Sequence, residues 1–133
     1  IEDASRTISH TISATNYNIV DIAYIINDIK TQYSNFIKIE TFIDNTIVLS
    51  DLEFKTLLRI MLFTHKLIDK IKYKEELTCF LSIYRSKKKN VYKIWVNKPI
   101  SLNEDQLTFL NDRSIKFELI KGNQEATILI YIS

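Results

Sequence analysis

The sequence predicts an α+β two-layer sandwich with helices on one face of a mixed sheet. Two long segments, 18–34 and 52–71, repeat their apolar residues at helical spacing. Five shorter runs, 37–43, 77–84, 91–96, 115–120 and 125–132, carry β-rich or alternating patterns. A first helical stripe within 2–15 and a short helix near 102–111 complete the order α-α-β-α-β-β-α-β-β, with no linker, repeat or low-complexity tract between elements.

Each element has its own local signal. Residues 2–15 are Ser/Thr-rich, with Ile8 and Ile12 four apart on one helical stripe that Asn16 and Asn18 interrupt. The stripe Ile19, Ile22, Ala23, Ile26, Ile29, Tyr33 makes 18–34 an amphipathic helix. Ile37, Ile39, Thr41 and Ile43 alternate with Lys38, Glu40 and Phe42, a strand that Asp44-Asn45 turns. Ser50 and Glu53 form a capping-box pair ahead of 52–71, whose broad apolar surface predicts a helix set deep between two layers. The runs 77–84 and 91–96 flank a polar loop at 85–90 and predict a hairpin. Pro99 ends the second run, Ser101 with Glu104 predicts a capping box, and Gly122-Asn123 predicts the turn of the last hairpin.

Composition excludes more than it assigns. The 133 residues are 46% hydrophobic and 26% charged, with 18 Lys+Arg against 16 Asp+Glu, which suits one folded domain and argues against disorder. The single Gly, Gly122, leaves no P-loop, no GxGxxG turn and no Gly-rich kinase loop. The single Cys, Cys79, rules out an intrachain disulfide and a multi-Cys zinc site, and it reads as a core filler. No run approaches 18 apolar residues, so no membrane span is expected, and 1–16 lacks the apolar block of a signal peptide. The first residue is Ile1 and the one Met is Met61, so the chain is expected to be the C-terminal portion of something longer, or processed.

Few side chains propose chemistry. His10, in Ser9-His10-Thr11, is a candidate phosphoacceptor or general base, because an imidazole near neutral pKa suits phosphoryl exchange; the plainer reading is an exposed helical His. His65 falls within the long helix, where a satisfied core or rim histidine is expected. The two lie on separate elements without HxxxH, HExxH or Cys partners, so no metal is expected. Asp51 and Glu53 read as first-turn residues, and Asp69 with Lys66 and Lys70 as a solvated helix face. Lys87, Lys88 and Lys89 form one basic run at a hairpin tip, but a net charge of +2 argues against nucleic acid as the partner.

The order of elements, together with Ile37-Lys38-Ile39-Glu40, Val48-Leu49-Ser50-Asp51 and the run from Leu58-Arg59-Ile60-Met61-Leu62, resembles the ATPase domain of histidine kinases. In that family the long helix supplies an Asn for Mg²⁺, yet no Asn stands between Asp51 and Lys72. Asn97-Lys98-Pro99 occupies the place of the Asp-x-Gly-x-Gly turn, and the second Gly-rich box and the lid give way to the helix near 102–111. The resemblance therefore implies a degenerate ATPase-like domain without lid, binding no ATP and holding no cofactor.

Within that group the chain is similar to ChpT-type histidine phosphotransferases. Ile1-Glu2-Asp3-Ala4-Ser5-Arg6-Thr7 resembles their second hairpin helix, and Ser101-Leu102-Asn103-Glu104 before Leu107 and Leu110 also fits. This resemblance implies a division at 1–16, the end of a dimerisation-hairpin helix, and 17–133, the ATPase-like sandwich. It implies a cytoplasmic phosphorelay component that forms a homodimer through its N-terminal helices and docks a response-regulator receiver domain. That family's phosphoacceptor follows an H-D-L-x-G-P type pattern, which is absent here; Thr11 stands in place of the acidic neighbour of His10. The alternative function is a non-enzymatic α+β protein-interaction domain unrelated to signalling.

Overall fold

A computed structural model describes residues 18–112 and 115–132. Three helices and five strands follow one another: α1 (Ile19–Gln32), β1 (Lys38–Ile43), α2 (Asp51–Ile71), β2 (Thr78–Ser86), β3 (Lys89–Val96), α3 (Glu104–Asp112), β4 (Lys116–Lys121) and β5 (Ala126–Ile132). The strands form one sheet in the order β1-β2-β3-β5-β4. β1 runs parallel to β2, joined through α2, and every other pairing is antiparallel. This is the mixed α+β sandwich that the pattern predicts. The segment 1–16, with His10, lies outside the described residues.

Local chemistry explains where helices begin. Asn18 caps α1 by accepting the Val20 amide at 3.0 Å. The capping box at α2 is complete: Ser50 Oγ accepts from the Glu53 amide at 3.1 Å, and Glu53 Oε1 accepts from the Ser50 amide at 3.0 Å. At α3 the box sits two residues later than the sequence suggests. Asn103 Oδ1 accepts from the Gln106 amide and Gln106 Oε1 from the Asn103 amide, both at 2.8 Å. Ser101 is left in the connector between β3 and α3.

One sheet face carries the core. Cys79, Leu81 and Ile83 on β2, Tyr92, Ile94 and Val96 on β3, and Ile128 and Ile130 on β5 are almost fully buried. Ile22 and Ile26 of α1 and Phe54, Leu57, Ile60, Leu67 and Ile68 of α2 pack into the same cluster. Each such side chain stabilises the fold by about 1.5–3 kcal/mol through area removed from water. α2 presents this broad face inward but leaves Leu52 and Leu62 exposed, so it is less enclosed than its apolar count suggests. Among the described residues, every buried side-chain nitrogen or oxygen has a hydrogen-bond partner.

The two hairpins differ from their predicted turns. β2 and β3 pair all the way to Ser86 and Lys89, so the loop expected at 85–90 shrinks to two residues. Lys87 and Lys88 take φ of 50° and 67°, the left-handed pair of a type I′ turn, which matches strand twist. In the last hairpin, Lys121 pairs with Ala126 and the loop spans four residues, with the Gly122 amide donating to the Glu125 carbonyl at 2.9 Å. Gly122 does not adopt a positive φ there.

Candidate functional site

A cleft opens where α2, the connector after β3 and the start of α3 converge. It has a volume of about 430 Å³ and is lined by Lys70, Ile71, Lys74, Pro99, Ile100, Ser101 and Lys121. A second recess of about 260 Å³ adjoins it through Lys70 and adds Phe63, Lys66, Asn103, Asp105, Gln106 and Phe109. Phe63 and Phe109 stack at 6.1 Å, fixing α3 against α2. Helical periodicity puts Lys66 and Lys70 one turn apart, with Lys74 just beyond the helix end.

The chemistry of this corner is cationic. Lysine ammonium groups surround the cleft, with Asp105 the one carboxylate among its lining residues. Such a site attracts anions but offers no ligand set for a divalent metal. Among the described residues, no group of three or more His, Cys, Asp or Glu could hold a metal ion. Asn97, at the end of β3, is fully engaged in structure. Its side chain accepts from the Thr78 amide at 2.8 Å and donates to the Glu76 carbonyl at 2.9 Å.

His65 belongs to a different cluster, at the junction of α1 and α2. The Tyr33 hydroxyl lies 3.3 Å from both ring nitrogens, and the rings meet edge-on at 5.3 Å. Gln32 Oε1 lies 3.2 Å from Nε2. One turn on, Asp69 pairs with Lys72 at 2.9 Å rather than with Lys66 or Lys70. That ammonium sits 5.0–5.9 Å from the centroids of Phe36, Tyr73 and Tyr33. Hydrogen bonding to Lys72 lowers the Asp69 pKa, and the same bond raises that of Lys72. Burial, then the Asp69 charge, raises the Tyr33 hydroxyl. The half-buried, hydrogen-bonded His65 is a structural histidine, as expected. Tyr33 reads from sequence only as the last member of a stripe; its pairing with a residue 32 positions away has no local signal.

Other sequence candidates separate. Glu53 reaches beyond its cap, since Oε2 accepts from the Asn90 side-chain amide at 2.8 Å. Asn90 is buried and also accepts from Arg85 Nη1 at 3.3 Å, so the α2 start is tied to the β2–β3 hairpin. Lys87 and Lys89 line a third groove, of about 520 Å³, with Lys116, Phe117 and Tyr131.

No protein-family model and no curated protein matches the chain. Solved structures do. The histidine kinase domain of the Erythrobacter litoralis EL346 blue-light activated histidine kinase is 12% identical, with TM-score 0.61 over 85% of this chain and 63% of that one. The catalytic domain of histidine kinase ThkA is 11% identical, with TM-score 0.60 over 89% and 93%. The chain has the histidine-kinase catalytic-domain fold. A bacterial phosphotransferase, 11% identical, matches at TM-score 0.53 over 96% of this chain and 72% of that one. The chain therefore spans under two thirds of the Erythrobacter kinase domain and nearly all of the isolated ThkA catalytic domain. Among the described residues, no helix is long and apolar enough to cross a membrane.

Proposed function

We propose that this chain is the kinase-like region of a histidine phosphotransferase, acting in a cytoplasmic two-component phosphorelay. It docks a response-regulator receiver domain, forms a homodimer through its N-terminal helices, and works without ATP. The observation that carries this reading is the corner between α2 and α3. A kinase-shaped domain there presents lysines and a proline connector, without an asparagine on α2 or a glycine-rich turn after β3. The fold shared with a bacterial phosphotransferase supports the same reading.

Phosphoryl exchange between histidine and aspartate needs an imidazole nucleophile and the partner's Mg²⁺-bound aspartyl phosphate. His10 is the candidate imidazole within this sequence, His65 being hydrogen-bonded to Gln32 and Tyr33; a phosphoacceptor on a helix preceding Ile1 is the alternative. The test incubates the full chain with a phosphorylated receiver domain and reads acid-labile, base-stable phosphate on the chain. Label that disappears in His10→Ala and persists in His65→Ala is the expected result. No transfer to any histidine, or tight Mg–ATP binding in a titration, would overturn the reading.

A further inference from the structure

Aromatic rings and lysines collect on the sheet face turned away from the helices. Register puts Phe80 of β2 directly opposite Trp95 of β3, and Tyr84 and Tyr131 on either side of Val91. The two ring pairs lie four residues apart along the strands, about 13 Å. Lys93 stands between them on β3, opposite Ser82 and Leu129. Phe80 is 38% exposed, and Trp95, Tyr84 and Tyr131 are half-buried, so every one of these rings keeps part of its surface open to solvent.

The lysines follow the same track. Lys87 and Lys88 form the hairpin tip, and Lys89 and Lys116 join Tyr131 around the groove of about 520 Å³. None of these four, nor Lys93, makes an ion pair among the described residues. The acids nearby are engaged or peripheral. Glu40 pairs with Lys38 at 3.4 Å, Glu125 accepts from Trp95 Nε1 at 3.0 Å, and Glu118 stands on the edge strand β4. A net charge of +2 argues against nucleic acid only where charge is spread evenly, and here five unpaired lysines gather on one side of one sheet.

Chemistry chooses the occupant. The core of a protein–protein interface is depleted in lysine, yet Lys93 sits in the middle of this face. A bare anion needs no rings, and a purely apolar ligand needs no lysines. Rings on neighbouring strands beside unpaired ammonium groups suit unpaired bases joined by phosphates. We propose that this face binds single-stranded nucleic acid. Bases stack on Phe80 and Trp95 at one station and on Tyr84 and Tyr131 at the other, while Lys93, Lys89 and Lys116 take the backbone phosphates. The proposal goes beyond the phosphorelay reading and does not depend on it.

Trp95 is the one tryptophan of the chain, so its emission reports stacking directly. The full chain is titrated with a 20-nucleotide poly(dT), a 20-base-pair duplex and an abasic 20-mer, followed by Trp95 emission and by anisotropy of labelled strands. Poly(dT) should quench Trp95 and bind at least about fivefold tighter than the other two. Its log affinity should fall with log salt at a slope of about −2 to −3.5, roughly 0.7 for each lysine engaged. Lys93→Gln should flatten that slope by about 0.7, and Phe80→Ala should weaken binding at least about fivefold. Lys93→Gln carries the test should Phe80→Ala fail to fold. Arg59→Gln, which removes the same charge from the exposed side of α2, should bind like the parent. Equal affinity for all three probes, equal losses in Arg59→Gln and Lys93→Gln, or no binding of poly(dT) would each overturn the proposal. A receiver domain that quenches Trp95 where poly(dT) does not would make the face a protein-docking surface and overturn it as well.

Discussion

The Thr64–Tyr92 hydroxyl pair allows a test whose two halves should be unequal. Tyr92 is fully buried on β3, and its hydroxyl lies 2.9 Å from Thr64 Oγ1 on α2. Thr64 already donates to the Ile60 carbonyl at 2.9 Å, so Tyr92 must be the donor in the pair. Tyr92→Phe removes that donor but leaves Thr64 bonded, and should cost about 0.5–1.5 kcal/mol. Thr64→Val keeps the shape but leaves a buried phenol donating to nothing, at about 1–3 kcal/mol. The double variant removes both groups and should be no less stable than Thr64→Val alone. Denaturant unfolding of the four proteins measures the cycle. The reasoning fails if Tyr92→Phe is the more damaging change, or if the two effects add within about 0.5 kcal/mol. A pH arm checks the same residue. Burial raises the Tyr92 hydroxyl well above its ordinary value of 10.0. The native state therefore keeps a proton that the unfolded state releases. Stability should fall by up to about 1.4 kcal/mol per pH unit above pH ~10, and Tyr92→Phe should fall less steeply than the parent.

Three further outcomes follow from the same geometry. Replacing the strained pair with Lys87→Asn/Lys88→Gly should raise stability by about 1 kcal/mol and the melting temperature by roughly 4 °C, since the turn demands left-handed φ at both positions; a lower melting temperature would refute the turn assignment. Glu53→Ala should destabilise more than Ser50→Ala, about 2 against about 1 kcal/mol, because it also strands the buried Asn90 amide, and chemical denaturation ranks them. Burial pushes the Cys79 thiol from 9.0 up to about 12, so it should resist a thiol-reactive dye in the native state. The native protein holds that proton while the unfolded chain loses it, so this contribution is intact below pH ~9 and lost as pH rises toward 12; Cys79→Val should flatten that part of the profile.

Elements whose signals are local were legible in the sequence. Apolar spacing located α1 and α2, and Ser50 with Glu53 announced the α2 cap, because a helix and its capping box involve neighbours in the chain. The lone glycine was informative through its absence elsewhere. No positive φ requires it; its role is space, since a Cβ at Gly122 would come within 2.9 Å of Glu125 Cγ, in a side chain that Trp95 Nε1 bonds. The type I′ turn was missed because Lys-Lys carries none of the Asn-Gly chemistry that usually marks one. The Tyr33–His65 and Glu53–Asn90 contacts join residues more than 30 positions apart, which no window of sequence can register.

The open sheet face lies between these cases. An antiparallel sheet covered on one side should alternate apolar and polar residues along each strand. Yet β2, β3 and β5 set Phe80, Tyr84, Val91, Trp95, Leu129 and Tyr131 on the outward face beside Thr78, Ser82, Lys93 and Thr127, runs only partly polar on that side. Such runs ordinarily signal strands buried on two sides. Here the helices account for Cys79, Leu81, Ile94 and Ile128, and nothing in the described fold accounts for Phe80, Trp95 or Leu129. Among the described residues, then, the helices explain one side of the apolar pattern in these strands and leave the other side unexplained.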